Sequence, residues 1–293
     1  MLSFKTPLVK FNDEVKNVYL KLENLQPFGS YKVRGIESLL NQINPSEYKL
    51  GLTAASIGNM GQAVAFMARE LKIPCEIIVP DTAPDIKIKK IESLGAVVIR
   101  KPLYQVWEYV KGKRFVNNGM YFIHPSQNQF LIEGYSQIAD EIILDNPFVE
   151  AVIIPFGVGG LFRGVSKRLK KLKPKVKVYS VEPIGAKPFY NYFHDINIIQ
   201  ERVPSFIDAI GTPDLIEDIK KELKSYCDGA LFVDDEVVKK SIKQIFFEHH
   251  TVVEGAGAAA VASYRELDED NIVCLVSGGN IDTQLFLKII NDT

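Results

Sequence analysis

Lys32 stands in the stretch Pro27-Phe28-Gly29-Ser30-Tyr31-Lys32-Val33-Arg34-Gly35, between a glycine–serine turn and the start of a helical pattern. The positive end of a helix disfavours an ammonium group, so a lysine there is biased towards the free amine, which can attack a carbonyl or accept a proton. Three other stretches combine glycine with small polar residues: Ser56-Ile57-Gly58-Asn59-Met60-Gly61-Gln62, Gly157-Val158-Gly159-Gly160-Leu161 and Ser277-Gly278-Gly279-Asn280. Each follows an apolar, strand-like run and precedes a helical one. Such junctions present free backbone N–H groups at a positive dipole end and can bind anions. Taken singly, each could be plain turn chemistry; three beside one lysine point to an anionic ligand. There is no G-x-x-x-x-G-K-[ST], and the second loop is not a G-x-G-x-x-G with its acidic partner. The four histidines and three cysteines show neither HExxH nor CxxC spacing, so no metal and no disulfide framework are expected.

The elements that must hold these residues follow from periodicity. Strand-like runs at 51–55, 75–80, 96–100, 151–156, 176–183, 230–234 and 271–277 alternate with helical patterns at 60–71, 84–94, 103–111, 130–144, 160–172, 214–224, 235–249, 254–267 and 281–291. Near-continuous apolar strands predict an α/β architecture, with mostly parallel twisted sheets covered by helices. The 293 residues, 46% of them hydrophobic, can build a substantial core. Lys plus Arg number 35 and Asp plus Glu 36, so no global field favours nucleic acid or a membrane surface. The longest nearly apolar run, 151–162, is too short to span a bilayer, and the N-terminus lacks a secretory pattern. A cytoplasmic protein working on a small molecule is expected.

On these motifs the sequence resembles the fold-type II enzymes dependent on pyridoxal 5'-phosphate (PLP), and within them the threonine/serine dehydratases. ENLQPFGSYKVRG (23–35) resembles their cofactor-binding lysine motif, TAASIGNMGQAVA (53–65) their substrate-carboxylate loop and PFGVGGL (155–161) their phosphate loop. VEGAGAAAVA (253–262) and SGGNID (277–282) resemble their C-terminal landmarks. The resemblance implies a tryptophan-synthase-β-like fold with residues 1–44 and 125–293 in a large cofactor domain and 45–124 in a smaller one.

It also implies roles. Lys32 carries the cofactor covalently and later takes the Cα proton. Gly157, Val158, Gly159, Gly160 and Leu161 offer backbone N–H groups to the phosphate. Ser277 bonds the pyridine nitrogen and Asn59 the phenolic oxygen, with Tyr31 and Glu254 near the cofactor. Ser56, Gly58, Asn59, Met60, Gly61 and Gln62 hold the substrate carboxylate. Read from the residues alone, Tyr31 could be a core aromatic, Ser277 a helix N-cap, Glu254 a capping carboxylate and Arg163 a solvated helix side chain.

Several positions depart from the family pattern. Met60 stands where dehydratases have histidine, and Val158 where they have glycine. GYSQ (134–137) replaces GQGT, and Ile207-Asp208-Ala209 replaces Ala-Asp-Gly. Ile57 occupies the place of the serine that serves resembling racemases as a second base, so weak or absent racemisation is expected. The family's divalent-cation pair maps onto Glu182 and Pro188, which lacks one ligand, so no metal is expected. The implied reaction is α,β-elimination on L-threonine, L-serine or a similar 3-hydroxy amino acid, giving a 2-oxo acid and ammonia, in a homodimer. Two alternatives stay open: β-replacement, as in threonine or cysteine synthases, and a PLP-binding protein without turnover.

Overall fold

Runs of β-branched and apolar residues form two separate sheets among the described residues. The computed structural model describes residues 2–56, 58–83, 85–112, 119–198, 203 and 205–292. The chain divides into a unit of Met1–Ser3 and Lys32–Tyr135 and a unit of Phe4–Tyr31 and Ser136–Thr293. Elements are numbered along the chain.

The second unit holds strands β1 (Leu8–Phe11), β2 (Asn17–Leu22), β7 (Ala151–Pro155), β8 (Lys177–Pro183), β9 (Gly229–Val233) and β10 (Asn271–Val276), in the order β1-β2-β10-β7-β8-β9. Only the β1–β2 pair is antiparallel; the other pairs are parallel. Every residue of β7 and all of β10 after Asn271 are buried. Successive strand side chains point to opposite faces, so both faces of the sheet centre are covered. Helices α6 (Gly160–Leu172), α7 (Pro188–Phe193), α8 (Glu217–Ser225), α9 (Asp235–His249), α10 (Gly255–Ser263) and α11 (Thr283–Asn291) belong to this unit. The sequence of α10, GAGAAAVAS, is almost all small residues, which lets its backbone pack against β7, β8, β9 and β10. Its alanines join Val18, Leu20, Ile153, Val181, Ile242, Ile245 and Val276 in one apolar core.

The first unit holds β3 (Leu52–Ala55), β4 (Cys75–Pro80), β5 (Val97–Lys101) and β6 (Tyr121–Phe122), all parallel, in the order β5-β4-β3-β6. Around them are α1 (Lys32–Gln42), α2 (Asn59–Leu71), α3 (Asp85–Glu92) and α4 (Leu103–Val110). Helix α2 packs on α1, β3 and β4, with Asn59 to Ala68 all buried. The chain leaves this unit along α5 (Gln129–Asp145), which runs across the division after Tyr135.

The four strands of this sheet lie within 45–124, but α1 and residues 125–135, expected with the larger sheet, group with the smaller one. Two glycines explain the grouping. A Cβ at Gly35 would lie 2.4 Å from Tyr135 Cε1, and one at Gly134 would lie 2.4 Å from the carbonyl oxygen of Arg34. Their absence lets α1 and the first turns of α5 come into close contact. No helix among the described residues is long and apolar enough to cross a membrane.

Candidate active site

The PFGSY turn, the SGGN loop and the start of α10 are far apart in sequence, and the second unit brings them together. Phe28 and Gly29 both have left-handed backbones, with φ of 60° and 67°, which folds the chain sharply before the lysine. For a phenylalanine this is a strained conformation, held here by its surroundings. The carbonyl of Phe28 accepts from Asn280 Nδ2 at 2.7 Å, and that of Gly29 accepts from the Gly279 N–H at 2.8 Å. Ser30 forms an antiparallel bridge with Gly278, and the Tyr31 N–H donates to the Ser277 carbonyl at 3.3 Å. Lys32 is the next residue and the first of α1, as the sequence predicts.

Helix α10 locks the other side of the loop. The Glu254 N–H donates to the Gly278 carbonyl at 3.1 Å, and a Cβ at Gly257 would lie 2.4 Å from that same oxygen. Glu254 is the N-cap of α10 but makes no side-chain cap bond, so its carboxylate is not a capping group. Ser277 is not a helix N-cap either: α11 is capped by Asp282, whose Oδ1 accepts from the Leu285 N–H at 2.9 Å. Both side chains are nearly buried, at 5% and 4% exposure. Burial, reinforced by the negative charge of Glu254, pushes the Tyr31 phenol well above its usual range, so Tyr31 stays protonated.

The loop at 157–161 leads from β7 into α6. Gly159, with φ of 87°, is the N-cap, and α6 has no side-chain cap. Its first-turn N–H groups therefore keep their donor capacity. Gly159 needs its glycine on two counts: the backbone is left-handed, and a Cβ would lie 2.8 Å from Leu223 Cδ1. Val158 is half-buried and Leu161 buried. The aromatic ring before the loop, Phe156, stacks on Phe189 of α7 with centroids 4.3 Å apart. Arg163 is not a solvated side chain: its Nη2 pairs with Glu222 Oε2 at 2.7 Å, tying α6 to α8.

In the first unit, the loop 56–62 joins β3 to α2. The Ser56 N–H donates to the Ile78 carbonyl at 3.0 Å, and Ser56 Oγ accepts from the Gly58 N–H at 3.3 Å. Gly58 is the N-cap of α2, which has no side-chain cap, so its first amides also remain donors. Asn59, Met60, Gly61 and Gln62 occupy the first turn and are buried. Ile57 lies outside the described residues.

Glu182 has a different use from a metal ligand. It is fully buried at the end of β8, and its carboxylate accepts from the N–H groups of Phe189 at 3.2 Å and Tyr190 at 2.7 Å, capping α7. Burial pushes it up to about 8 despite those donors and nearby Lys187. Among the described residues, no group of three or more His, Cys, Asp or Glu side chains could hold a metal ion.

Two residues near Lys32 were not among those predicted. Ser30, already within the quoted motif, has a fully buried Oγ with no hydrogen-bond partner. Tyr135, visible in the sequence only as a departure in GYSQ, places its ring centroid 5.9 Å from Lys32 Nζ.

Within each unit, the donors suit parts of pyridoxal phosphate. The uncapped start of α6 suits a phosphate dianion, and the left-handed Gly159 at its N-cap lets the backbone turn its amides outward. A lysine amine next to the PFGSY turn suits an aldehyde, and a neutral serine hydroxyl suits a pyridine nitrogen.

Comparison with known proteins points the same way. The family described as pyridoxal-phosphate dependent enzyme matches residues 2–278. An L-threonine ammonia-lyase of Thermotoga maritima is 34% identical over 296 residues, covering 94% of this chain and 70% of that protein. A catabolic L-threonine dehydratase of Staphylococcus aureus is 32% identical over 302 residues, covering 95% and 84%. Among solved structures, the processed form of threonine deaminase isoform 2 from Solanum lycopersicum superposes with a TM-score of 0.84 at 27% identity, covering 98% of this chain and 88% of that one.

Proposed function

Because the chain belongs to the pyridoxal-phosphate dependent enzyme family, we propose that it is an ammonia-lyase converting L-threonine, L-serine or a similar 3-hydroxy amino acid to a 2-oxo acid and ammonia. When bound, pyridoxal phosphate supplies the electron withdrawal that acidifies the substrate's Cα–H. The N–H groups of Gly157, Val158, Gly159, Gly160 and Leu161 would hold its phosphate at the positive end of α6. Ser277 Oγ would be the neutral partner of the ring nitrogen, and Asn59 would serve the phenolic oxygen. Ser56 and the first-turn amides of α2 hold the substrate carboxylate, with Met60 and Gln62 lining the loop. Lys32 Nζ would carry the cofactor at rest and would take the Cα proton of the bound substrate. Atoms balance: the Cα proton and the β-hydroxyl leave as water, and water returns when the C–N bond is hydrolysed. The reading includes a homodimer in the cytoplasm.

The observation that carries this reading is the bolting of Phe28–Tyr31 onto 277–280, which fixes the peptide leading into Lys32 beside the serine assigned to the ring nitrogen. The test is ammonia release from L-serine and L-threonine by the pure protein with no second substrate. Turnover is expected, and Lys32→Ala should reduce it by at least about 1,000-fold. Release only with an added nucleophile marks β-replacement instead. Wild-type rates in Lys32→Ala refute the assignment of the base.

A further inference from the structure

Tyr135 is the largest fully buried side chain among the described residues, and two glycines seat it. Gly35, three residues after Lys32, lies on the same face of α1 one turn along. A Cβ there would lie 2.4 Å from Tyr135 Cε1, 2.6 Å from Cζ and 2.9 Å from Leu131 Cγ. The ring therefore rests in a slot that only glycine leaves open, and Gly134 brings α5 against the backbone of Arg34 and Gly35 in the same way. Lys32 Nζ lies 5.9 Å from the ring centroid, within reach of a cation–π attraction when it is protonated.

We propose that Tyr135 is the positioning residue for Lys32, its ring face receiving the ammonium that forms when Lys32 takes the Cα proton. The substrate delivers its proton to Nζ, and the positive charge so created rests against the negative face of a ring that cannot move, because α1 and α5 clamp it. The same face directs Nζ of the resting apoprotein and shields it from reagents. The agent is the ring, so phenylalanine replaces tyrosine here, whereas an aliphatic side chain of similar reach does not. The role in turnover rests on the reading of Lys32 as the base; the effect on the lysine amine does not.

Two measurements on Tyr135→Phe, Tyr135→Leu and Tyr135→Met keep these apart. The first uses cofactor-free protein: the rate at which trinitrobenzenesulfonate modifies Lys32, located by mass spectrometry, with the melting temperature of each variant recorded. Tyr135→Leu and Tyr135→Met should react about two- to five-fold faster than wild type, the span of a partly exposed cation–π contact, and Tyr135→Phe at the wild-type rate. The second is turnover of the cofactor-loaded protein, in which kcat should fall by a similar factor in the aliphatic variants, KM should hold, and Tyr135→Phe should restore kcat. If Tyr135→Leu does not fold, the methionine variant decides. Equal Lys32 reactivity in all folded variants overturns the proposal, as does a Tyr135→Phe loss matching the aliphatic ones, which would make the hydroxyl the agent. Changed reactivity without any amino-acid turnover in wild type would leave the ring–lysine contact standing and sink the lyase reading alone.

Discussion

Replacing Gly61 by alanine should damage the loop at 56–62 in a way that helix propensity alone would not foretell. Gly61 is the third residue of α2, and alanine within a helix is favoured over glycine by about 1 kcal/mol. Yet a Cβ at Gly61 would lie 2.2 Å from the Ser56 carbonyl oxygen and 3.1 Å from Ile77 Cγ2. Reaching even 3.0 Å from that oxygen requires a displacement of about 0.8 Å (3.0 − 2.2). The obstacle is backbone, and the Ser56 N–H is anchored to the Ile78 carbonyl, so the loop cannot turn aside freely. Overpacking of this kind costs roughly 1–3 kcal/mol. Because rigid backbone puts it at the upper end, the net loss after the propensity gain is about 2 kcal/mol. On the proposal that this loop holds the substrate carboxylate, displacing it by nearly 1 Å lowers kcat/KM by up to about 100-fold, chiefly through KM. Gly58→Ser is the control: nothing lies within 4 Å of its Cβ, and a serine at this N-cap can accept a first-turn N–H. Urea unfolding and kcat/KM with L-serine should show Gly61→Ala impaired in both and Gly58→Ser at least as stable as wild type. Equal stability and equal KM in Gly61→Ala would refute the steric argument.

His124 and Glu182 supply pH tests of opposite sign. His124 Nδ1 accepts from the N–H groups of Ser126 and Gln127, both at 3.2 Å, so Nε2 carries the hydrogen donated to the Val110 carbonyl at 2.8 Å; burial holds its pKa below the usual histidine value. A folded-state pKa below the unfolded one gives stability that is complete above about pH 6.5 and lost as pH falls through the folded value, so wild type should lose more melting temperature between pH 7 and 5 than His124→Asn; identical slopes would exclude this. Glu182, pushed up to about 8, contributes stability that is complete below the ordinary carboxylate pKa and lost as pH rises through about 8. Urea unfolding at pH 6 and pH 9 should show Glu182→Gln gaining on wild type at the higher pH, while Glu182→Ala, which leaves two buried amides of α7 without an acceptor, loses about 2 kcal/mol at pH 6; a pH-independent gap between wild type and the glutamine variant would refute the assignment.

The α/β class was legible because its signals are local. Short apolar, β-branched runs such as AVIIP and IVCLV between turn residues read as strands covered on both faces, and several helices have starts marked by glycine or Asp. The lysine turn, the glycine loops and the family were equally legible, since each motif is a short contiguous run whose residue types state the local geometry. The β1–β2 hairpin, the two-residue strand β6 and the six-residue helix α7 were not: β6 and α7 are too short for periodicity to register, and Lys10 and Lys21 interrupt the apolar runs of β1 and β2.

What only tertiary structure decided was how shared positions are used. Sequence could not choose between capping and other roles for Glu254 and Ser277, because a cap is defined by which amide a side chain reaches, and in the fold Asp282 caps α11 while Glu254 makes no cap bond. Nor could it see that Arg163 is tied to Glu222, that the Glu182 carboxylate is taken by α7, or that Gly35 and Gly134 admit Tyr135 beside Lys32. Those facts depend on contacts between residues that can lie far apart in the chain, as Lys32 and Tyr135 do, and a contact of that kind is set by packing rather than by the types of adjacent residues.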